Sequence, residues 1–312
     1  MRIVVAGTGG VGGYFGGLLA QAGHAVTFLA RGRHLEAIRR QGLMIHSVHG
    51  DFTLHPADAR EDAASLAPPE IVLVAVKYYD LEAAARPLAP IVNEQTVVVP
   101  LLNGIDAHRV LSDILARGCI VGGTCSIAAR IEAPGVIRQE SQLRRVVVGA
   151  LDSHPHAVLE ELVTAWRACG VEARQSADIL ADLWSKFIFI ASFGGVTALA
   201  RATAGEVRAD PATRALLVEA MREVEAMSRA SGARVAEDVV ARSIALVDGF
   251  EPGVTSSLQR DVADGRRFEL EAFSGTVVRL AQELGIDVPL HAAIYALLKP
   301  MLARAEKHGN PA

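Results

Sequence analysis

Four short runs in the first half of the chain, residues 2–6, 25–29, 70–76 and 96–100, are almost wholly apolar and rich in β-branched side chains. A strand with one solvated face alternates between apolar and polar residues, whereas one buried on both faces does not. These runs therefore predict the central strands of a largely parallel sheet covered by helices. Covering helices are predicted at segments such as 11–22 and 106–117, where apolar residues recur every three or four positions. From 119 to 150 the segments are short and punctuated by glycine, which predicts further strands added at the sheet edge. A helix over 156–168, ended by Gly170, and a last strand over 171–174 complete this half.

Beyond that point strand patterns stop. Asp210 and Pro211 offer an N-cap followed by a first-turn proline; Leu217, Val218, Met221 and Val224 mark one helical face, and Gly232 ends the element. Helices are predicted in the same way over 235–247, 267–284 with Gly285 beyond, and 291–306. The uncharged stretch 187–200 is shorter than the roughly 20 residues needed to cross a bilayer and predicts a buried helix. The pattern divides the chain into an α/β domain over 1–175 and an all-α domain over 176–312, with a frayed tail at 308–312.

Composition narrows the function. With 51% hydrophobic and 21% charged residues over 312 positions, the chain reads as a soluble globular protein of two domains. Its 31 basic and 35 acidic residues leave a net charge of -4, which disfavours nucleic acid and anionic membranes as partners. Cys119, Cys125 and Cys169 have neither disulfide nor zinc-site spacing, and no secretory leader is visible, so a cytoplasmic location is expected. The histidines form no metal-ligand pairs; His154 and His156 flank Pro155 in what reads as a surface turn. Cys125 reads as a small buried residue, since no histidine or carboxylate is tied to it in sequence.

Directly after the first strand stands Gly7-Thr8-Gly9-Gly10-Val11-Gly12, a GxGxxG turn opening a helix. Dinucleotide binding needs glycine three times there: for the tight turn, for approach of the backbone to a pyrophosphate, and for packing of helix on strand. The domain is accordingly expected to be of Rossmann type. An acidic residue at the end of the second strand would hold a ribose 2′-hydroxyl, but no Asp or Glu occurs before Glu36. Arg31 stands there instead, with Arg33 nearby, and a guanidinium matches a 2′-phosphate, so NADPH is the expected cofactor.

Further segments, taken with the glycine turn, resemble the ketopantoate reductase (2-dehydropantoate 2-reductase) family. They are Ala30-Arg31-Gly32-Arg33-His34-Leu35, Val76-Lys77-Tyr78-Tyr79-Asp80, Leu102-Asn103-Gly104, Trp184-Ser185-Lys186, and Ser256-Ser257-Leu258-Gln259-Arg260-Asp261 followed by Glu269. The resemblance implies an N-terminal Rossmann domain, a helical C-terminal domain, an active site between them, and NADPH-dependent reduction of a 2-oxo acid to a 2-hydroxy acid, with ketopantoate to pantoate, in pantothenate biosynthesis, as the expected reaction. It implies that Lys186 is the general acid and Glu269 its acidic partner. It also implies that Ser257 binds the substrate carboxylate and that Asn103 lies beside nicotinamide and lysine. Lys77 would reach cofactor or substrate from the same edge. Read without the resemblance, Glu269 falls in the first turn of a helix, Ser257 is a candidate N-cap, Asn103 is a turn former, and Lys186 precedes fourteen uncharged residues.

The chain departs from the family's pattern where asparagines are usual: Ile190, Gly194 and Ala204 stand there. A substrate shell altered in this way leaves open a less polar 2-oxo acid or ketone as substrate. A non-catalytic NADPH-binding sensor and a 3-hydroxy acid dehydrogenase are the other readings. Retention of Lys186 and Glu269 argues against the first, and the absence of an apparent glycine-rich substrate loop against the second. A homodimer is expected for the helical domain.

Overall fold

The N-terminal apolar run forms β1 (Arg2–Ala6), followed by α1 (Gly10–Gln21), β2 (Ala25–Leu29), α2 (Gly32–Gln41), β3 (Leu43–Ser47), β4 (Phe52–Leu54) and β5 (Asp58–Arg60). Next come β6 (Ile71–Val74), α3 (Leu81–Ala85), β7 (Val97–Pro100), α4 (Ala107–Ile114) and β8 (Cys119–Ile120). The computed structural model describes residues 1–151 and 157–307 and divides into two units, Met1–Ile179 and Leu180–Ala312. The expected tail at 308–312 and the turn at His154 and His156 lie outside the described residues.

A six-stranded parallel sheet, ordered β5-β2-β1-β6-β7-β8, forms the centre of the first unit. Ile3 stands opposite both Val26 and Ile71, and every residue of β6 and β7 is buried. That double burial explains the unbroken apolar runs. Helix α1 carries five glycines in twelve residues, each costing about 1 kcal/mol against alanine in a helix interior. Burial of Tyr14, Phe15, Leu18 and Leu19 offsets that cost.

The segments over 119–150 do not extend this sheet as expected, apart from β8. Instead β9 (Gly122–Ser126), β12 (Arg145–Gly149) and β13 (Glu172–Gln175) make a separate three-stranded sheet. A four-stranded sheet joins β10 (Ala129–Ala133) and β11 (Val136–Gln139) to β3 and β4. The pairing β11 to β3 spans about ninety residues of sequence, and β10 is exposed along most of its length, so no local apolar pattern announces it. Helix α5 (Ala157–Ala168) packs its buried Trp166 edge-on against Phe15, 6.0 Å between ring centres.

The second unit is helical: α6 (Ile179–Ala200, its first residue on the boundary), α7 (Ala204–Ala209), α8 (Pro211–Ala230), α9 (Val239–Asp248), α10 (Ser257–Ala263), α11 (Thr276–Leu284) and α12 (Pro289–Lys307). Asp210 caps α8, its Oδ1 accepting from the Thr213 N–H at 2.7 Å. Helix α6 is longer than the uncharged stretch: at 22 residues it has the length and hydropathy to cross a membrane, but 67% of its most apolar window is buried in the protein. A turn of π-helix, Glu271–Gly275, precedes α11, so Glu269 lies before the helix and not in its first turn.

Near the start of α12, fully buried His291 joins three elements. Its Nε2 lies 3.2 Å from the Ala220 carbonyl on α8 and 3.4 Å from Ser192 Oγ on α6, and its Nδ1 lies 3.4 Å from Ser274 Oγ in the π-turn. A carbonyl can only accept, so Nε2 carries the proton and Nδ1 accepts from Ser274. Glu223 receives the N–H groups of Leu290 and His291 at 2.7 and 2.9 Å, satisfying donors at the helix start.

Burial lowers the His291 pKa from 6.5 to about 4. Between those values the unfolded chain binds a proton that the native state does not, so stability rises with pH. This contribution is complete above the unfolded value and lost as pH falls to about 4, amounting to roughly 3 kcal/mol across the window. Urea midpoints of wild type and His291→Gln measured from pH 7 to pH 4 should show a steeper acid loss for the wild type; parallel curves would refute the assignment.

Candidate active site

The glycine turn distributes three physical tasks among three residues. Gly7 has φ +99°, which places the chain in a left-handed turn at the end of β1. A Cβ on Gly12 would collide with the Gly7 carbonyl oxygen and lie 3.0 Å from Ala75 Cβ, so its absence lets α1 sit on the strands. A Cβ on Gly9 would meet nothing within 4 Å, which leaves an open approach to the backbone. Gly13 is the first residue whose N–H returns to α1, bonding the Gly9 carbonyl at 2.7 Å, so the N–H groups of Gly10, Val11 and Gly12 stand ahead of the helical ladder.

Thr8 is committed inward: it is buried, and its Oγ1 donates to the Leu29 carbonyl at 2.8 Å. What it offers a ligand is therefore main chain. A Cβ on Gly10 would strike the backbone of Ala129, and one on Gly13 would lie 2.8 Å from Ile137 Cγ1, so the β10–β11 hairpin is seated against the turn. Exposed Arg31 follows β2 and precedes α2 with no salt bridge to any described residue. Open backbone, unclaimed donors and an exposed guanidinium fit a dinucleotide with an extra phosphate.

Lys77 and Asn103 are half-buried beyond the C-terminal ends of β6 and β7, which are neighbours in the sheet. Open α/β sheets bind ligands at that edge. The two strand-end segments are tied together, Tyr78 donating its hydroxyl to Asp106 Oδ2 at 2.9 Å, and Gly104 turns the second with φ +99°.

In the helical unit Lys186 is half-buried in the second turn of α6. Ile190, Gly194 and Thr197 follow at helical spacing, which puts all four on one face. That face reaches α10: Thr197 Oγ1 lies 3.0 Å from Ser256 Oγ, and a Cβ on Gly194 would lie 3.6 Å from Leu258 Cβ. Ser256, not Ser257, caps α10, accepting from the Gln259 N–H at 3.0 Å. The hydroxyl of half-buried Ser257 makes no hydrogen bond to any described residue. Ala204 is fully buried at the start of α7, where its N–H bonds the Val254 carbonyl at 2.9 Å. Glu269 is only 5% exposed, and the π-turn beside it is tied to α6 through Ser274, His291 and Ser192.

Two family models cover the chain, Ketopantoate reductase PanE/ApbA over residues 3–153 and Ketopantoate reductase PanE/ApbA C terminal over residues 178–302. The 2-dehydropantoate 2-reductase of Halobacterium salinarum is 31% identical over 96% of this chain and 98% of its own length. The chain belongs to the ketopantoate reductase family. It is thus an oxidoreductase, and NADPH is the cofactor of the family. An uncharacterized oxidoreductase of Bacillus subtilis, YkpB, is 28% identical over 98% of this chain and 100% of its own length. A crystal structure of 2-dehydropantoate 2-reductase from Methylococcus capsulatus has TM-score 0.90 and 26% identity, covering 99% of this chain and 100% of that one.

Within this ketopantoate reductase fold, two structural expectations require correction. Ser257 is not the N-cap, because its neighbour Ser256 occupies the extended position and turns its oxygen to the third amide. Glu269 gains nothing from a first-turn dipole, because the helix starts later with a π-turn. Residue-by-residue reading also missed His291 and the Thr197–Ser256 bond, whose partners lie 99 and 59 residues apart.

The glycine geometry separates stability from binding. Gly9→Ala should melt as the wild type does while weakening NADPH at least about tenfold, because its Cβ enters only the ligand's space. Gly12→Ala should lose about 1–3 kcal/mol of stability through overpacking. Thermal melts beside fluorescence titrations with NADPH check both, and a destabilised Gly9→Ala would contradict the assignment.

Proposed function

We propose that this reductase converts a 2-oxo acid to the 2-hydroxy acid with NADPH, and that 2-dehydropantoate (ketopantoate) is the substrate and pantoate the product. The carrying observation is the glycine turn with its single open position at Gly9, beside an Arg31 that no described carboxylate claims. Arg31 pairs with the 2′-phosphate, a bidentate contact that NADH cannot return. The relatives bearing the 2-dehydropantoate 2-reductase name support the substrate. The activity is assigned to the cytoplasm, with residues 1–175 holding the cofactor and 176–312 the substrate and a second copy of the chain.

When bound, NADPH supplies the hydride for the keto carbon, so the protein must supply one proton to the carbonyl oxygen. Lys186 stabilises the charge on that oxygen and donates the proton, working at a half-buried position that limits competition from water. Glu269 orients the lysine or a substrate hydroxyl from its buried site, and Ser257 donates its unengaged hydroxyl to the carboxylate. Asn103 and Lys77 align the nicotinamide end from the strand termini.

One observation favours a second reading. Along the Lys186 face the next residues are Ile190 and Gly194, and beside them Phe189 and Phe193 stack at 5.4 Å, both packed edge-on against Phe250. A face so poor in hydrogen-bonding groups suits a 2-oxo acid or ketone with a less polar side chain.

Steady-state NADPH oxidation decides between the two. Ketopantoate should exceed 2-oxo acids lacking the hydroxyl in kcat/KM by about 100-fold or more, and a large reverse preference selects the second reading. Lys186→Ala should lower kcat by about 10²–10⁴-fold at unchanged NADPH affinity. Unchanged turnover removes Lys186 from the mechanism, and tight NADPH binding without turnover on any carbonyl would mark a sensor. Arg31→Ala should weaken NADPH about tenfold or more and leave NADH unaffected.

A further inference from the structure

His34 lies in the first turns of α2, half-buried, with both ring nitrogens engaged. Its Nδ1 accepts the Gly135 N–H at 3.0 Å, and its Nε2 lies 2.9 Å from the Thr8 carbonyl. An amide can only donate and a carbonyl can only accept, so the ring is neutral and carries its proton on Nε2. Burial also lowers the His34 pKa, which favours the same neutral form. The two partners are far apart in sequence: Thr8 belongs to the glycine turn, and Gly135 forms the turn between β10 and β11 with φ +78°.

The surrounding contacts make this bridge specific. Gly135 is seated on the same face of α2, where its Cβ would meet Ala37 Cβ at 3.1 Å, and Gln41 Nε2 reaches the Pro134 carbonyl at 3.4 Å. The Gly135 carbonyl accepts the Met44 N–H at 2.9 Å, which fixes the hairpin turn independently of His34. Thr8 is held from the other side by Leu29, whose carbonyl takes both its hydroxyl and its N–H. The Thr8 peptide therefore has one remaining degree of freedom, the direction of its carbonyl. That carbonyl belongs to the same peptide plane as the Gly9 N–H, next to the open approach.

We propose that His34 is a positioning residue for the dinucleotide: anchored by Gly135, it holds the Thr8 carbonyl inward and thereby sets the Thr8–Gly9 peptide for the pyrophosphate. The inference rests on the glycine turn being the NADPH site. His34 touches no cofactor atom in this role; it removes the disorder the turn would otherwise lose on binding.

The two arms can be separated by substitution. Glutamine places an N–H donor where Nε2 stands and keeps the Thr8 arm; asparagine places an acceptor where Nδ1 stands and keeps only the Gly135 arm. Fluorescence titration with NADPH should show His34→Ala weakened about tenfold, His34→Asn weakened similarly, and His34→Gln within about threefold of wild type. At saturating NADPH, kcat should be unchanged in all three. An unaltered Kd in His34→Ala overturns the proposal, as do equal affinities in the Gln and Asn variants or a loss confined to kcat. If His34→Ala does not fold, the Gln and Asn pair carries the comparison alone. A wild-type protein that binds no NADPH defeats the underlying site assignment as well, whereas a binding wild type with an indifferent His34→Ala defeats only the positioning role.

Discussion

The first unit depends on a contact between two stretches of backbone. Gly12 lies so near the Gly7 carbonyl that a single carbon atom added there would collide with it. This proximity puts the start of α1 directly above β1 and aims its leading N–H groups at the end of the strand, where a phosphate is attracted by donors and by the helix dipole. The same closeness recurs on the helix's other side, where Gly10 meets the backbone of Ala129 and Gly13 meets Ile137. One glycine-rich helix thus fixes both the cofactor turn and the hairpin beside it. The helix propensity sacrificed for this geometry is recovered from the large apolar side chains that α1 buries.

The helical unit solves a different problem. Helix α6 is apolar nearly throughout, and apolar packing alone is tolerant of small rotations and slides. Directional bonds remove that tolerance at two places. Ser192 meets His291 at 3.4 Å on one side, and Thr197 meets Ser256 at 3.0 Å on another. Each ties the lysine helix to a segment bearing a proposed functional group: the π-turn next to Glu269, and the cap next to Ser257. Buried polar groups leave the registry of neighbouring elements less free than apolar groups of equal volume, because an unmade bond in the interior costs about 1–3 kcal/mol.

Legibility in the sequence followed the range of the interactions. The central strands could be read because burial on both faces leaves an unbroken apolar run, and the glycine turn because its three tasks fall within six residues. Asp210 was readable as a cap since its bond reaches only three residues ahead. The four-stranded sheet was not readable, because β4 is three residues long and β10 is mostly solvated. The sequence points to Ser257 as a cap, and only the extended backbone at Ser256 shows that the helix is capped one residue earlier. The π-turn after Glu269 has a hydrogen-bond period that helical patterns do not mark, so the helix was drawn too early. His34 stood in a segment already noted, yet its function as a bridge depends on a residue 101 positions away.

These differences in range bear on how such a reductase can change its substrate. The glycine turn is specified by absent side chains and by main-chain contacts, so an added Cβ at Gly7, Gly10 or Gly12 disturbs the fold and one at Gly9 narrows the open approach to the backbone. The Lys186 face is specified by side chains on one helix, and at Gly194 an added Cβ would meet Leu258 at 3.6 Å, an ordinary packing distance. Ile190 is only partly buried. Residues can therefore be exchanged along this face without moving the lysine or the backbone that carries it. Under the proposed function, exchange of side chains at positions 190 and 194 changes the polarity offered beside Lys186 while the glycine turn keeps its geometry, so the two are free to vary separately.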